Sequence, residues 1–213
     1  MKIFDLTHKL SNSTPVYPGT EKLNFTITST VEKDTFKTTN LNMQSHAGTH
    51  LDCPAHIIKN GLCTDNMPID KFYGKGIVID VSRFEPDYEI KIKDIEKFKS
   101  KIEKSDYILL YSGRDKYWGK VNYFNNFPVL SPETAKFIVN SKIKGIGIDC
   151  ISVDKIDSVD FKIHNILLKN NIIIVENLTA LIQLIGKDFM FFAFPLKIKD
   201  GDGSPIRATA IVN

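Results

Sequence analysis

The sequence predicts an α/β fold built on a mixed sheet. Three observations carry this expectation. Four short runs, 76–82, 107–112, 144–149 and 172–175, are largely apolar and bounded by turn or polar residues, as strands covered on both faces are. Two stretches, 92–102 and 131–141, carry helical signals instead. Strands outnumber helices, yet the two alternate along the chain, which is the order of an α/β domain. The length of 213 residues suits one sizeable core, and no linker, repeat or low-complexity tract divides it. Residues 1–213 therefore read as a single domain.

The elements follow in order. Residues 2–6 alternate apolar and polar, a short strand. Residues 14–19, Thr-Pro-Val-Tyr-Pro-Gly, form a turn-rich loop stiffened by two prolines. Leu23, Phe25 and Ile27 alternate with polar neighbours, predicting a half-buried strand over 22–31. Leu41, Met43 and Ser45 continue that period, so a second strand is expected to run straight into His46. In 92–102, Ile92, Ile95, Phe98 and Ile102 recur at helical spacing among lysines and glutamates, predicting an amphipathic surface helix with a solvated charged face. Five aromatics, Tyr117, Trp118, Tyr123, Phe124 and Phe127, crowd a polar stretch, as a satellite cluster under a long loop would. Ser131-Pro132 opens a helix, with serine as N-cap and proline in the first turn. His164 begins a short helical run, and Glu176 ends the apolar run before it. Residues 189–197 are strongly apolar, 201–203 turn, and 207–212 close the fold as a strand.

Composition excludes several functions. Apolar residues make up 42% and charged residues 25% of the chain, and the net charge is +3. The lysines are scattered, so no nucleic-acid footprint is expected. No run approaches the roughly 18 apolar residues of a membrane span. The first residues lack the apolar core of a secretory signal. Three unpaired cysteines point to a reducing compartment, and the cytoplasm is the expected location.

The stretch that carries chemistry is 46–56, His-Ala-Gly-Thr-His-Leu-Asp-Cys-Pro-Ala-His, which holds three of the five histidines. Imidazole and carboxylate suit zinc or manganese. Gly48 and Pro54 argue against a helix, so an irregular loop is expected, converging His46, His50 and Asp52 on one point. Pro54 then turns the chain and sets His56 close by. Cys53 reads as a small buried filler rather than a thiolate ligand. His8 lies outside the pattern and reads as structural or surface.

The segment resembles the H-x-G-T-H-x-D-x-P-x-H signature of the cyclase family of metal-dependent hydrolases, which includes the bacterial kynurenine formamidases. Every fixed position is present. Further segments resemble the same family: 152–154 within a G-x-D-x-x-S-x-D stretch, His164 and Glu176 within H-x-x-L-L … E-N-L, and 203–208, G-S-P-I-R-A. The resemblance implies a curled, barrel-like sheet with flanking helices of the swivelling β/β/α type, and a homodimer or homotetramer. It implies His164 and Glu176 as the remaining metal ligands, with Glu176 also in the catalytic set, and Ser152 and Asp154 as loop-holding residues. It sets Tyr17 at the position of a substrate-side aromatic, where kynurenine formamidases are expected to carry tryptophan; a packed turn aromatic is the other reading. It relates the aromatic loop to the site mouth or a subunit contact.

These expectations combine into one chemistry. A divalent ion lowers the pKa of bound water to about 7 and polarises a carbonyl. His46, His50 and Asp52 would hold the first ion. Asp52 and Glu176 could bridge to a second, completed by His164; one or two ions per chain, zinc or manganese, both remain open. His56 is the candidate general acid/base for the leaving amine. The expected activity is metal-dependent hydrolysis of a small amide, an N-formyl arylamide such as N-formylkynurenine. The alternatives are an isatin-like or lactam ring opening, a metal-dependent cyclisation or dehydration, or a metal-binding module without turnover.

Overall fold

The computed structural model describes residues 1–212. Its strands are β1 (Lys2–Asp5), β2 (Asn24–Ser29), β3 (Thr38–Asn42), β4 (His50–Asp52), β5 (Tyr73–Asp80), β6 (Glu89–Ile90), β7 (Tyr107–Tyr111), β8 (Val129–Leu130), β9 (Gly145–Ile148), β10 (Ile173–Glu176), β11 (Phe189–Phe192), β12 (Gly203–Pro205) and β13 (Thr209–Val212). Nine of them form one curled sheet in the order β1-β13-β11-β5-β7-β9-β10-β4-β12. The middle four, β5, β7, β9 and β10, run parallel, and the remaining pairings are antiparallel. This is the mixed sheet the alternating elements predict.

The apolar runs become the parallel centre because both faces are covered. Alternate residues enter two separate cores: Ile77, Ile79, Ile108, Leu110, Ile146 and Ile174 one, Val78, Leu109, Ile173 and Val175 the other. The first core lies beneath helices α4 (Pro132–Asn140) and α5 (Lys162–Lys169), which pack on each other. Ser131 caps α4 by accepting from the Thr134 amide, and Pro132 occupies its first turn.

Four local expectations are corrected. The 92–102 stretch is not one helix: α2 (Ile92–Ile95) and α3 (Lys99–Ile102) are single turns joined by a 3-10 turn, and α1 (Val31–Asp34) is equally short. Ile95 and Ile102 are both fully buried, and a 3-10 turn at Glu96–Phe98 separates them. The 22–31 strand shortens to β2 and pairs only with β3 as a separate ribbon, where Ile27 is 59% exposed. β3 ends at Asn42 and does not deliver His46. The apolar 189–197 stretch is strand only as β11, and Phe194 and Leu196 beyond it are exposed. Periodicity overcounted in each case because it marks apolar spacing, not what covers it. Among the described residues, no helix is long and apolar enough to cross a membrane.

Candidate metal centre and active site

The predicted irregular loop at 46–56 holds a strand at its heart. β4 is inserted between β10 and β12, antiparallel to both. Leu51, fully buried, points into the second core, a burial worth about 1.5–3 kcal/mol. Strand alternation then turns His50 and Asp52 together to the opposite face. The register sets Glu176 opposite His50 and Ile174 opposite Asp52, so Glu176 shares that face. α5 lies against β10 on the same side and brings His164 over them. Pro54–His56 then forms one 3-10 turn, which returns His56 toward His46.

The tight approach to β4 uses two glycines. Gly48 has φ +62, and a Cβ there would run into Leu10 Cδ2. A Cβ on Gly203 would meet the Leu51 carbonyl oxygen at 2.7 Å and His46 Cε1 at 2.8 Å.

The donors are aimed inward by their outer bonds. His50 Nδ1 lies 2.8 Å from the Gly48 carbonyl, which can only accept, so Nδ1 donates. Its Nε2 then faces Asp52 Oδ1 at 3.3 Å and Glu176 Oε2 at 3.5 Å. His164 Nδ1 donates to Asp154 Oδ2 at 2.7 Å, and its Nε2 faces Glu176 Oε1 at 3.5 Å and Asp52 Oδ2 at 3.6 Å. Carboxylate, imidazole and inward lone pair is the arrangement that orients metal-ligating histidines. Asp52 Oδ2 is buried with no hydrogen-bond partner, an expensive state for a carboxylate oxygen unless a cation meets it. His50, Asp52 and Glu176 place one donor atom each within 4.8 Å of one another, as do His46, Asp52 and His56. The residues present thus fit a divalent ion, and Asp52 is common to two groups.

This distribution differs from the expected one. His46 groups with His56 about Asp52, while His50 groups with Glu176 and faces His164 across it. His46 spans two carboxylates, Nδ1 at 2.7 Å from Asp52 Oδ1 and Nε2 at 2.8 Å from Asp202 Oδ2. Burial opposes a charge on His46, but Asp52 and Asp202 override it and lift its pKa to about 9. His50 behaves alike: burial opposes, and Asp52 and Glu176 push its pKa up to about 10. The buried carboxylates demand positive charge, which a proton or a metal ion can supply. His56 is the exception. Burial lowers its pKa, its side chain is 30% exposed, and its nearest carboxylate, Asp202, is 3.5 Å away, beyond a hydrogen bond. It is a neutral imidazole at the open side of the cluster.

Tyr17 is half-buried and donates its hydroxyl to the Ile156 carbonyl at 2.9 Å. It lies near enough for the charges of Glu176 and His164 to act on its phenol. Cys53 is buried, and its thiol bonds the Gly201 and Asp202 carbonyls. Burial pushes its pKa up to about 12, so it is a thiol filler and not a thiolate. His8 stacks on Trp118 with ring centroids 4.0 Å apart, a structural position.

Sequence reasoning missed Asp202, which reads only as the middle of a turn. No periodicity marks it; the sole signal is its place between two glycines, which lets the backbone come close to His46. Asp154 was expected to hold a loop. What it holds is the start of α5, accepting from the Ile163 and His164 amides, and the ring of His164. A surface groove of about 770 Å³, lined by Lys75, Phe98, Lys101 and Phe189 among others, shares no residue with the metal cluster. Chemistry follows the converging donors rather than the volume.

A curled mixed sheet with buried carboxylates and imidazoles beside one strand pair defines an α/β protein with a candidate metal centre. The Cyclase family model matches residues 4–155, and the chain belongs to that family. A protein of Methanocaldococcus jannaschii is 37% identical over 100% of both chains. The kynurenine formamidase of Bacillus anthracis is 33% identical, covering 97% of this chain and 96% of its own. An isatin hydrolase solved with the product analogue thioisatinate superposes with a TM-score of 0.90 at 25% identity, over 100% of this chain and 93% of that one.

Proposed function

We propose that this protein hydrolyses a small amide with the help of a divalent ion, zinc or manganese, and that its substrate is an N-formyl arylamide such as N-formylkynurenine. The observation that carries the proposal is the orphaned Asp52 Oδ2, faced by the inward Nε2 of His164 at 3.6 Å beside Glu176 and His50. Asp52, Glu176, His50 and His164 would hold one ion, and His46 adds a donor beside Asp52. Bound there, a divalent ion supplies an acidified water and a polarised carbonyl. The chain supplies the rest. Asp154 and Gly48 keep His164 and His50 in the tautomers that leave Nε2 free. His56, neutral and without a short hydrogen bond, is suited to carry a proton to the departing amine nitrogen. Tyr17 offers an aromatic face near the site for an aryl group. Relatives named kynurenine formamidase, 33–34% identical over nearly the whole chain, support the substrate class.

A second reading has its own support. The likeness to isatin hydrolase favours opening of an isatin-like ring, in which the amide nitrogen stays tethered after the bond breaks. The same proposal includes a homodimer or homotetramer working in a reducing compartment, which three free thiols favour. Formate release from N-formylkynurenine, measured beside ring opening of isatin, decides between the substrates. Turnover of isatin alone would reject the formamidase assignment, and turnover of neither would reject both.

A further inference from the structure

The aromatic loop and Asn177 form a closed brace around the metal-binding strand. Asn177 follows Glu176 and is buried, with backbone φ +56. Its carboxamide orientation is fixed by its partners. Nδ2 lies 2.8 Å from the Gly48 carbonyl, which can only accept, so the amide nitrogen must face it. Oδ1 therefore accepts from the Tyr123 hydroxyl at 2.6 Å. His50 Nδ1–H and Asn177 Nδ2–H converge on the same Gly48 oxygen, 3.4 Å apart. Thr49 Oγ1 donates to the Asn177 carbonyl at 2.6 Å and accepts from the His8 amide at 3.0 Å. His8 stacks on Trp118, and Trp118 meets Tyr123 edge-on at 5.1 Å. The circuit is closed from Tyr123 through Asn177, Thr49, His8 and Trp118 back to Tyr123.

We propose that Asn177 is a positioning residue for the ligand His50, and that Tyr123 acts through it. The Gly48 carbonyl holds the His50 ring in place only while that carbonyl itself is held. Asn177 pins the carbonyl, and the fully buried Tyr123 pins Asn177. The aromatics at 118–123 thus serve the metal centre through the backbone that leads into the strand. This inference rests on the divalent-ion reading of the site.

The test uses Asn177→Gly, which keeps the left-handed backbone open, and Tyr123→Phe, which removes one hydroxyl. Two quantities are read: affinity for Zn²⁺ by chelator competition, and the unfolding midpoint of the metal-stripped protein. Asn177→Gly should bind Zn²⁺ about 10–100-fold more weakly, the range for residues that orient a ligand. Tyr123→Phe should weaken it less, and the double variant should be no worse than Asn177→Gly. Saturating Zn²⁺ should return kcat toward the wild-type value. If Asn177→Gly lowers the midpoint but leaves Zn²⁺ affinity unchanged, the role is structural and the proposal fails. Additive losses in the double variant would sever Tyr123 from Asn177. Should Asn177→Gly not fold, an unchanged affinity in Tyr123→Phe overturns the brace by itself. Wild-type protein that takes up no Zn²⁺ would overturn the metal reading first, and is scored separately.

Discussion

Replacing Asp154 with asparagine changes one atom's chemistry and removes the charge behind His164. Asp154 receives three bonds: from the Ile163 amide at 2.9 Å, the His164 amide at 3.0 Å and His164 Nδ1 at 2.7 Å. The first two cap α5, whose own N-cap residue, Phe161, has φ +44 and offers no side-chain acceptor. Burial resists the charge on Asp154, but its bonds with His164 hold the pKa below the ordinary value, so it is ionised at neutral pH. The Ile163 amide bonds Oδ1, while the His164 amide and ring both bond Oδ2. An asparagine keeps two of the three bonds by placing its oxygen at the Oδ2 position, so His164 Nδ1 still donates and its Nε2 lone pair stays aimed at Asp52 and Glu176. Its NH₂ then meets the Ile163 amide donor to donor, and the charge behind His164 is gone. The stability loss should be that of one charge-assisted bond, about 1.5–3 kcal/mol. Metal affinity should fall by about 10–100-fold. Asp154→Ala, which strands both amides and the ring, should cost about 3–5 kcal/mol. Urea unfolding of the metal-stripped proteins gives the first quantity and chelator competition the second. Asp154→Asn with wild-type metal affinity would refute the role given to the charge. Equal stability losses for asparagine and alanine would refute the retained His164 bonds.

Three further outcomes are expected. His56→Ala should retain the metal and lose about two to four orders of magnitude in kcat, whereas His50→Ala should lose metal and activity together; elemental analysis beside kinetics checks this, and loss of metal in both would make His56 a ligand. Tyr17→Ala should raise KM for aryl amides up to roughly tenfold with metal content unchanged; an unaltered KM returns Tyr17 to packing. His8 gives a pH effect. Burial lowers its folded pKa to about 4, so the unfolded chain binds more protons between that value and its ordinary 6.5. Stability is therefore lost as pH falls through this window. After discounting for partial exposure the loss is about 1–2 kcal/mol. His8→Phe should flatten the slope of unfolding free energy there, and an identical slope in the variant would remove His8 as its cause.

The parallel centre of the sheet was legible because strands buried on both faces leave continuous apolar runs, as at 107–111 and 173–175. The helix at 132–140 was legible from its cap. The donor cluster was legible for a different reason: His46, His50, Asp52 and His56 are close in sequence. What sequence could not show was which donors share a face, because that depends on Leu51 choosing the second core and on the β4–β10 register. Asp202 stayed hidden because its partner His46 lies 156 positions away. His164 and Glu176 became candidates only by resemblance, since a lone histidine in a helix and a carboxylate after a strand are ordinary surface features. The broken 92–102 helix shows the limit of periodicity: correct spacing of Ile92, Ile95, Phe98 and Ile102 did not guarantee one continuous helix.

The three-residue strand between β10 and β12 has an implication for how this gene can vary. Side chains in a strand alternate faces, so a slip of one residue exchanges Leu51 for its neighbours. An isoleucine-for-leucine change at 51 keeps the pattern, but a single inserted or deleted codon between Gly48 and Asp52 would bury both donors in the apolar core and expose the leucine where the ion should sit. Such frameshift-free indels should be tolerated in the exposed β2–β3 ribbon and eliminated here, with no graded intermediates. A codon-deletion scan scored by retained Zn²⁺ would therefore trace the strand's boundaries as a step, sharp at both ends.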